Sequence, residues 1–150
     1  MQILHYEFRL VGKIEPVLET DGSVRQFMPQ IRYKNAGNLP VNKYGNGPFC
    51  KFSITNILRN SGVYILCVEE SIKYVGECVN LSARFNAGYG NISPRNCFRG
   101  GQETNVRMNN LIYISVTGGE KITLWFHPTP NYKAVEEKLR RVCAAPWNRI

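Results

Sequence analysis

The stretch from Ser61 to Arg84 constrains the chain more than any other. Two short apolar runs, Val63 to Val68 and Ile72 to Val75, flank the polar Glu69-Glu70-Ser71. Aromatic and β-branched runs of that length, bounded by polar residues, predict two strands of a hairpin. Gly76 then marks a turn, and Asn80 offers a side chain that can cap the free N–H groups of a following helix. Tyr64 opens the first strand, Tyr74 opens the second, and Arg84 falls about one turn into the helix. Two phenols and a guanidinium are thereby gathered near strand ends and a helix N-terminus, a place suited to holding a phosphate.

Gly62-Val63-Tyr64 followed by Tyr74-Val75-Gly76 resembles the signature of the GIY-YIG nuclease family, with a spacer from Ile65 to Lys73 slightly shorter than usual there. Arg84 falls where the family carries an arginine on its first helix. Glu136, Leu139, Pro146, Trp147 and Asn148 are similar to the family's Glu-x-x-Leu…Pro-aromatic-Asn ending. The four elements stand in the family's order across residues 61 to 148. Many members carry a histidine or tyrosine about four residues after the arginine; here Gly88 holds that position, with Tyr89 beside it.

A chain of 150 residues is long enough to bury a core without metals or disulfides. Hydrophobic residues make up 43% of it, and no apolar run approaches the ~20 residues a membrane helix needs. The start, Met1 to Glu7, lacks the pattern of a secretory signal, so a cytoplasmic location is expected. The five cysteines, Cys50, Cys67, Cys78, Cys97 and Cys143, form no Cys-x-x-Cys pair. Free thiols are expected, rather than a disulfide framework or a zinc knuckle. A net charge of +8 suits a polyanion, because each phosphate neutralised by Lys or Arg releases a counterion. Charge alone leaves a membrane surface or the ribosome open; the signature turns the reading to nucleic acid.

Elsewhere, Tyr6 to Val11 and Val24 to Tyr33 read as extended segments, with Asp21-Gly22 as a hairpin signal between them. Lys34 to Pro48, rich in Asn, Gly and Pro from Asn35 onward, reads as a loop, and Ser53 to Asn60 as a short helical turn. Phe85 to Gly101 interleaves aromatics with Arg95 and Arg99 and suits a nucleic-acid backbone. Thr104 to Ile114 reads as an amphipathic helix with Met108, Leu111 and Ile112 on its apolar face, leaving Arg107 and Asn110 free to reach DNA. Lys121 to Phe126 predicts a third strand, and Asn131 a cap for the last helix. The expected fold is a small α/β (α+β) domain. Residues 61–150 form a core with a three-stranded antiparallel sheet flanked by helices, and residues 1–60 add a β-hairpin extension and loop to the same domain.

In the last helix, Tyr132, Val135, Leu139, Val142 and Cys143 share one stripe at about 100° per residue. Glu137 lies opposite it, at i±4 from Lys133 and Arg141, and Glu136 lies on its flank. The resemblance implies hydrolysis of phosphodiester bonds with one Mg²⁺ or Mn²⁺ ion, held by Glu136. It implies Tyr64 as general base for the attacking water, Lys73 and Tyr74 beside it, Arg84 on the scissile phosphate and Asn148 as a brace. Lys43, Tyr89, Arg95, Arg99 and Arg107 are the expected nucleic-acid contacts. Double-stranded DNA is the expected partner of a stand-alone, restriction-like or phage-type endonuclease, with a homodimer expected if both strands of a palindrome are cut. The alternatives are a structure-specific repair nuclease, an RNA-directed toxin, and a non-catalytic binding module that keeps the fold.

Overall fold

The computed structural model describes residues 1–34 and 37–149, so Asn35 of the expected loop lies outside the described residues. The described residues form a mixed α/β structure with two antiparallel sheets and three α-helices. Its strands are β1 (Gln2–Ile3), β2 (Tyr6–Glu7), β3 (Arg9–Lys13), β4 (Gly62–Val68), β5 (Ser71–Cys78) and β6 (Ile122–Pro128). Its helices are α1 (Leu81–Ala83), α2 (Glu103–Thr117) and α3 (Tyr132–Cys143). The chain divides into two compact units. Unit 1 holds residues 1–14, 54–84 and 120–150; unit 2 holds 15–53 and 85–119.

Unit 1 is built on a four-stranded sheet in the order β3-β6-β4-β5. β4 and β5 form the expected hairpin, closed by Glu69 and Glu70. Glu69 sits at φ +53° and ties the turn to the start of β6: its N–H donates to the Lys121 carbonyl at 2.7 Å, and its carboxylate accepts the Lys121 N–H at 2.8 Å. Every residue of β4 is buried, as a central strand covered on both faces requires. Val63, Ile65 and Val75 form one core with Phe8 and with Val135 and Leu139 of α3. β1 and β2 form a separate two-stranded hairpin.

The N-terminal segment corrects the expected pairing. β3 joins the main sheet as a fourth strand against β6, Arg9 opposite Phe126, and not against Val24 to Tyr33. The Asp21-Gly22 turn closes only a single bridge, Leu18 with Val24, and Pro29–Arg32 is a 3-10 turn. Ser53 to Asn60 is not helical. This segment is held instead by Ser82, whose hydroxyl lies 2.7 Å from the Thr55 carbonyl and 2.8 Å from that of Leu58.

Unit 2 has little regular structure besides α2, and its asparagines supply much of its pairing. Asn109, fully buried, accepts the Cys50 N–H at 3.0 Å and donates to the carbonyls of Cys50 at 2.8 Å and Tyr89 at 2.7 Å. Asn42 donates to the Asn96 carbonyl at 2.7 Å, and Asn96 in turn accepts the Gln102 N–H at 3.0 Å. These side chains do for irregular backbone what a ladder does for strands. Phe49, Cys97, Phe98 and Val106 form the apolar core beneath them.

Candidate active site

The residues expected to carry chemistry all belong to unit 1, and β5 organises them. Register sets which way they face. Tyr64 stands opposite Gly76, and Leu66 opposite Tyr74. The ladder then skips Lys73, so that Cys67 pairs with Ile72. Lys73 is thus the unpaired residue of a β-bulge, a device that re-aims neighbouring side chains. Ile72 packs into the core shared with α3, whereas Tyr74 lies on the other face, with Tyr64.

The two glycines of the signature have a steric reason. A Cβ on Gly76 would lie 2.7 Å from Cε1 of Tyr74 and closer still to Cζ and Oη of Tyr64. The Tyr64 phenol therefore lies across Gly76, with its ring centroid 6.1 Å from that of Tyr74. Tyr64 is 1% exposed and Tyr74 half-buried. A Cβ on Gly62 would lie 2.6 Å from the Phe126 ring and closer still to the His127 carbonyl oxygen. A side chain at either place would force these neighbours to move.

Arg84 follows directly on α1. Asn80 caps that helix as expected, accepting the Ala83 N–H at 2.9 Å, and the Arg84 N–H donates to the Asn80 carbonyl at 3.0 Å. From Arg84 the helix widens into a π-helical stretch, Arg84–Tyr89, closed by Gly90 N–H to the Phe85 carbonyl at 2.7 Å. Such stretches are uncommon and gather at functional sites. Arg84 is half-buried, and its charge bears on Cys78 at the end of β5, partly countering the burial that pushes that thiol up to about 11.

Glu136 lies on α3, on the flank of the stripe formed by Val135 and Leu139. Its side chain is 17% exposed and lies 3.5 Å from Arg140, one turn on. Burial pushes its carboxyl above the ordinary glutamate range. Arg140 pulls it back, while the charges of Glu77 and Glu137 push it up. Glu77 alternates with Gly76 and so points to the side of the sheet that α3 covers, and it is the strand residue that sequence reading passed over. Strict alternation after Gly76 was the signal for it. Glu137 pairs with Arg141 on the exposed side, as expected.

Asn148 braces the outer edge of β5. Its side-chain amide mimics a neighbouring strand, accepting the Val75 N–H at 2.9 Å and donating to the Val75 carbonyl at 2.7 Å. The Trp147 N–H donates to the Lys73 carbonyl at 2.8 Å. The C-terminal segment thereby covers strand groups that would otherwise be open.

The oxygen donors at Glu136 fit a hard divalent cation. Burial and the charge of Glu77 both disfavour its ionised form, and a bound cation would relieve both. Among the described residues no three His, Cys, Asp or Glu side chains converge as a metal cage. Mg²⁺ seldom has one, since it keeps water and substrate oxygens in its shell.

The expected nucleic-acid contacts all fall in unit 2 and divide in two. Lys43, Arg95 and Arg99 are exposed. Lys43 lies 5.6 Å over the Tyr44 ring, and Arg95 donates to the Arg99 carbonyl at 3.1 Å. Tyr89 and Arg107 are instead buried, at 1% and 8% exposure. Residues 105 to 109 of α2 are all buried, so periodicity around Met108 and Ile112 understated how much of this helix is covered. The five thiols are free, and burial pushes Cys50 up to about 12 and Cys97 to about 11.

No protein-family model matches the chain, and no curated protein does. Among solved structures it is similar to that of a mutant of bacteriophage T4 EndoII, with 17% identity over 74% of this chain and 87% of that one. The TM-score is 0.48, too low for the likeness to carry an argument about function.

Proposed function

We propose that this chain is a metal-dependent endonuclease hydrolysing phosphodiester bonds in DNA, of the stand-alone restriction or phage type, with a GIY-YIG-like core over residues 61–150. The observation that supports it best is the seating of the Tyr64 phenol across Gly76 beside Tyr74. A motif present by chance would not place its second glycine directly beneath the hydroxyl-bearing end of its first tyrosine.

In this reading Tyr64 takes a proton from the attacking water, and Tyr74 orients the water or the phosphate. That requires the hydroxyl of Tyr64, a residue 1% exposed in the free protein, to be uncovered when substrate binds. A phenol with an ordinary pKa near 10 needs a cation close by to act at neutral pH, and Lys73, the bulge residue next to Tyr74, is the candidate for that part. Arg84 is a fixed donor for charge developing on the scissile phosphate. Glu136 would hold the divalent cation, which supplies charge neutralisation at the phosphate and at the leaving 3′ oxygen. Asn148 acts through Val75 by fixing β5. Lys43, Arg95 and Arg99 serve the nucleic-acid backbone; Tyr89 and Arg107 are too deeply buried to do so. Cutting both strands of a palindrome would take a homodimer.

Digestion of supercoiled plasmid by wild type and Tyr64→Phe tests the assignment. Loss of a general base lowers the rate by about 10²–10⁴-fold. Nicking or fragmentation at the wild-type rate by Tyr64→Phe contradicts it.

A further inference from the structure

Unit 2 contains a cleft of about 300 Å³ that the nuclease chemistry does not use. Arg25, Arg32 and Lys51 line it, all three exposed, and no carboxylate does. They come from separate segments held in a fixed order by backbone bonds. Arg25 N–H donates to the Val17 carbonyl at 2.9 Å, and Val17 N–H to the Lys51 carbonyl at 2.8 Å. Phe27 and Phe49 exchange N–H to carbonyl bonds of 2.8 and 3.1 Å. Beneath them the backbone of Cys50 is clamped on both sides by Asn109. Arg32 ends the 3-10 turn that begins at Pro29.

The cations are little engaged within the protein. Arg25 lies 3.7 Å from Glu19, with both side chains more than half exposed, a pairing of small worth. It also sits 5.6 Å from the centre of the Phe27 ring. Among the described residues, the side chains of Arg32 and Lys51 have no hydrogen bond or ion pair. Three like charges brought to one cleft repel one another, and a polyanion relieves that repulsion. Guanidinium groups suit phosphate in particular, since their forked donors match its oxygens. The cleft has about the volume of the smallest ligand sites. Its partly exposed Phe27 and exposed Met28 offer an apolar rim to a sugar or base. Cations this exposed match one side of a continuous strand better than a small anion enclosed on all sides.

We propose that this cleft is a nucleic-acid backbone site, in which Arg25, Arg32 and Lys51 take successive phosphates of one strand. The proposal rests on the nuclease reading for its ligand. It supplies, from residues the sequence did not single out, the contacts that buried Arg107 and Tyr89 do not make.

The test is fluorescence anisotropy of the full chain with a labelled duplex of about 20 base pairs in EDTA, titrated at several salt concentrations. Each phosphate contact contributes about 0.9 to the slope of log affinity against log salt, so Arg25→Gln with Arg32→Gln and Lys51→Gln removes about 2.7. Between about 50 and 200 mM salt, the affinity loss of the triple variant is then about 40-fold smaller than that of wild type. The charge-keeping triple, Arg25→Lys with Arg32→Lys and Lys51→Arg, keeps the wild-type slope. A neutral triple with wild-type slope and affinity overturns the proposal, and so does equal loss in both triples. Deoxyadenosine monophosphate binding at the duplex's affinity overturns it too, since the site would then be one for a small anion. Cleavage in Mg²⁺ is read separately. Cleavage by wild type with an unchanged slope in the neutral triple sinks the cleft alone. Charge-dependent binding through the cleft without any cleavage sinks the nuclease reading alone.

Discussion

Replacing Gly76 by alanine isolates the packing on which the site depends. Gly76 lies outside the left-handed region of φ, so alanine meets no backbone strain there. A methyl group would nonetheless sit 2.7 Å from Tyr74 Cε1 and closer to the end of the Tyr64 ring, which at 1% exposure has no free space to enter. Overpacking of this kind costs about 1–3 kcal/mol. The loss of a flexible residue from the unfolded chain returns about 0.4–1 kcal/mol. The net is roughly 1–2 kcal/mol, or a fall in Tm of about 2–8 °C for a chain of this length. Cleavage should fall further than stability does, since displacing a reacting group by about 1 Å can cost 10²-fold. Urea unfolding of Gly76→Ala, Tyr64→Ala and the double variant reads the clash as a coupling energy. In the Tyr64→Ala background the added methyl enters vacated volume, and its cost falls to what the contact with Tyr74 still imposes. A Gly76→Ala protein as stable as wild type, with no coupling to Tyr64, would refute the seating of the phenol.

The geometry makes three further predictions. Because Glu136 has a raised pKa in the folded state, its ionisation costs stability as pH rises through that value. Glu136→Gln should therefore gain on wild type in EDTA as pH rises above the ordinary glutamate value of about 4, and Mg²⁺ should stabilise wild type alone; urea midpoints showing no pH-dependent difference would contradict this. Asn109→Ala leaves three buried backbone groups unpaired at about 1–3 kcal/mol each, so a thermal melt should fall by roughly 6 °C or more, and an unchanged melt would contradict the clamp. With their thiols pushed up to about 12, 11 and 11, Cys50, Cys78 and Cys97 should react with a disulfide reagent at pH about 8 only on unfolding; reaction at the urea-unfolded rate in the native protein would contradict it.

What the sequence made legible was local. The hairpin of β4 and β5 follows from two apolar runs across a polar turn, and the Asn80 cap and the stripe of α3 follow from spacing alone. The position of Asn131 at the start of α3 was legible too, although its side chain makes no capping bond. What escaped was set by distant partners. Nothing near Arg9 announces that it pairs with Phe126, and the Asp21-Gly22 turn is equally compatible with the short bridge it makes. Period counting placed Arg107 off the apolar face, but burial on more than one side of α2 left it enclosed. Asn42, which read only as a breaker, and Asn96 and Asn109, which carried no expected role, proved to be the hydrogen-bonding frame of unit 2. The bulge at Lys73 reverses the alternation that a regular strand would give Ile72 and Tyr74, and no residue type there signals it.

The most direct test of the central claim is cleavage of supercoiled plasmid and phage DNA by wild type and Glu136→Gln, with Mg²⁺ and with EDTA. Nicks or fragments from wild type in Mg²⁺, lost in EDTA and in Glu136→Gln while DNA binding persists, are the predicted result. Intact DNA in every lane, or equal cleavage by Glu136→Gln, would contradict the assignment of Glu136 and the nuclease reading with it.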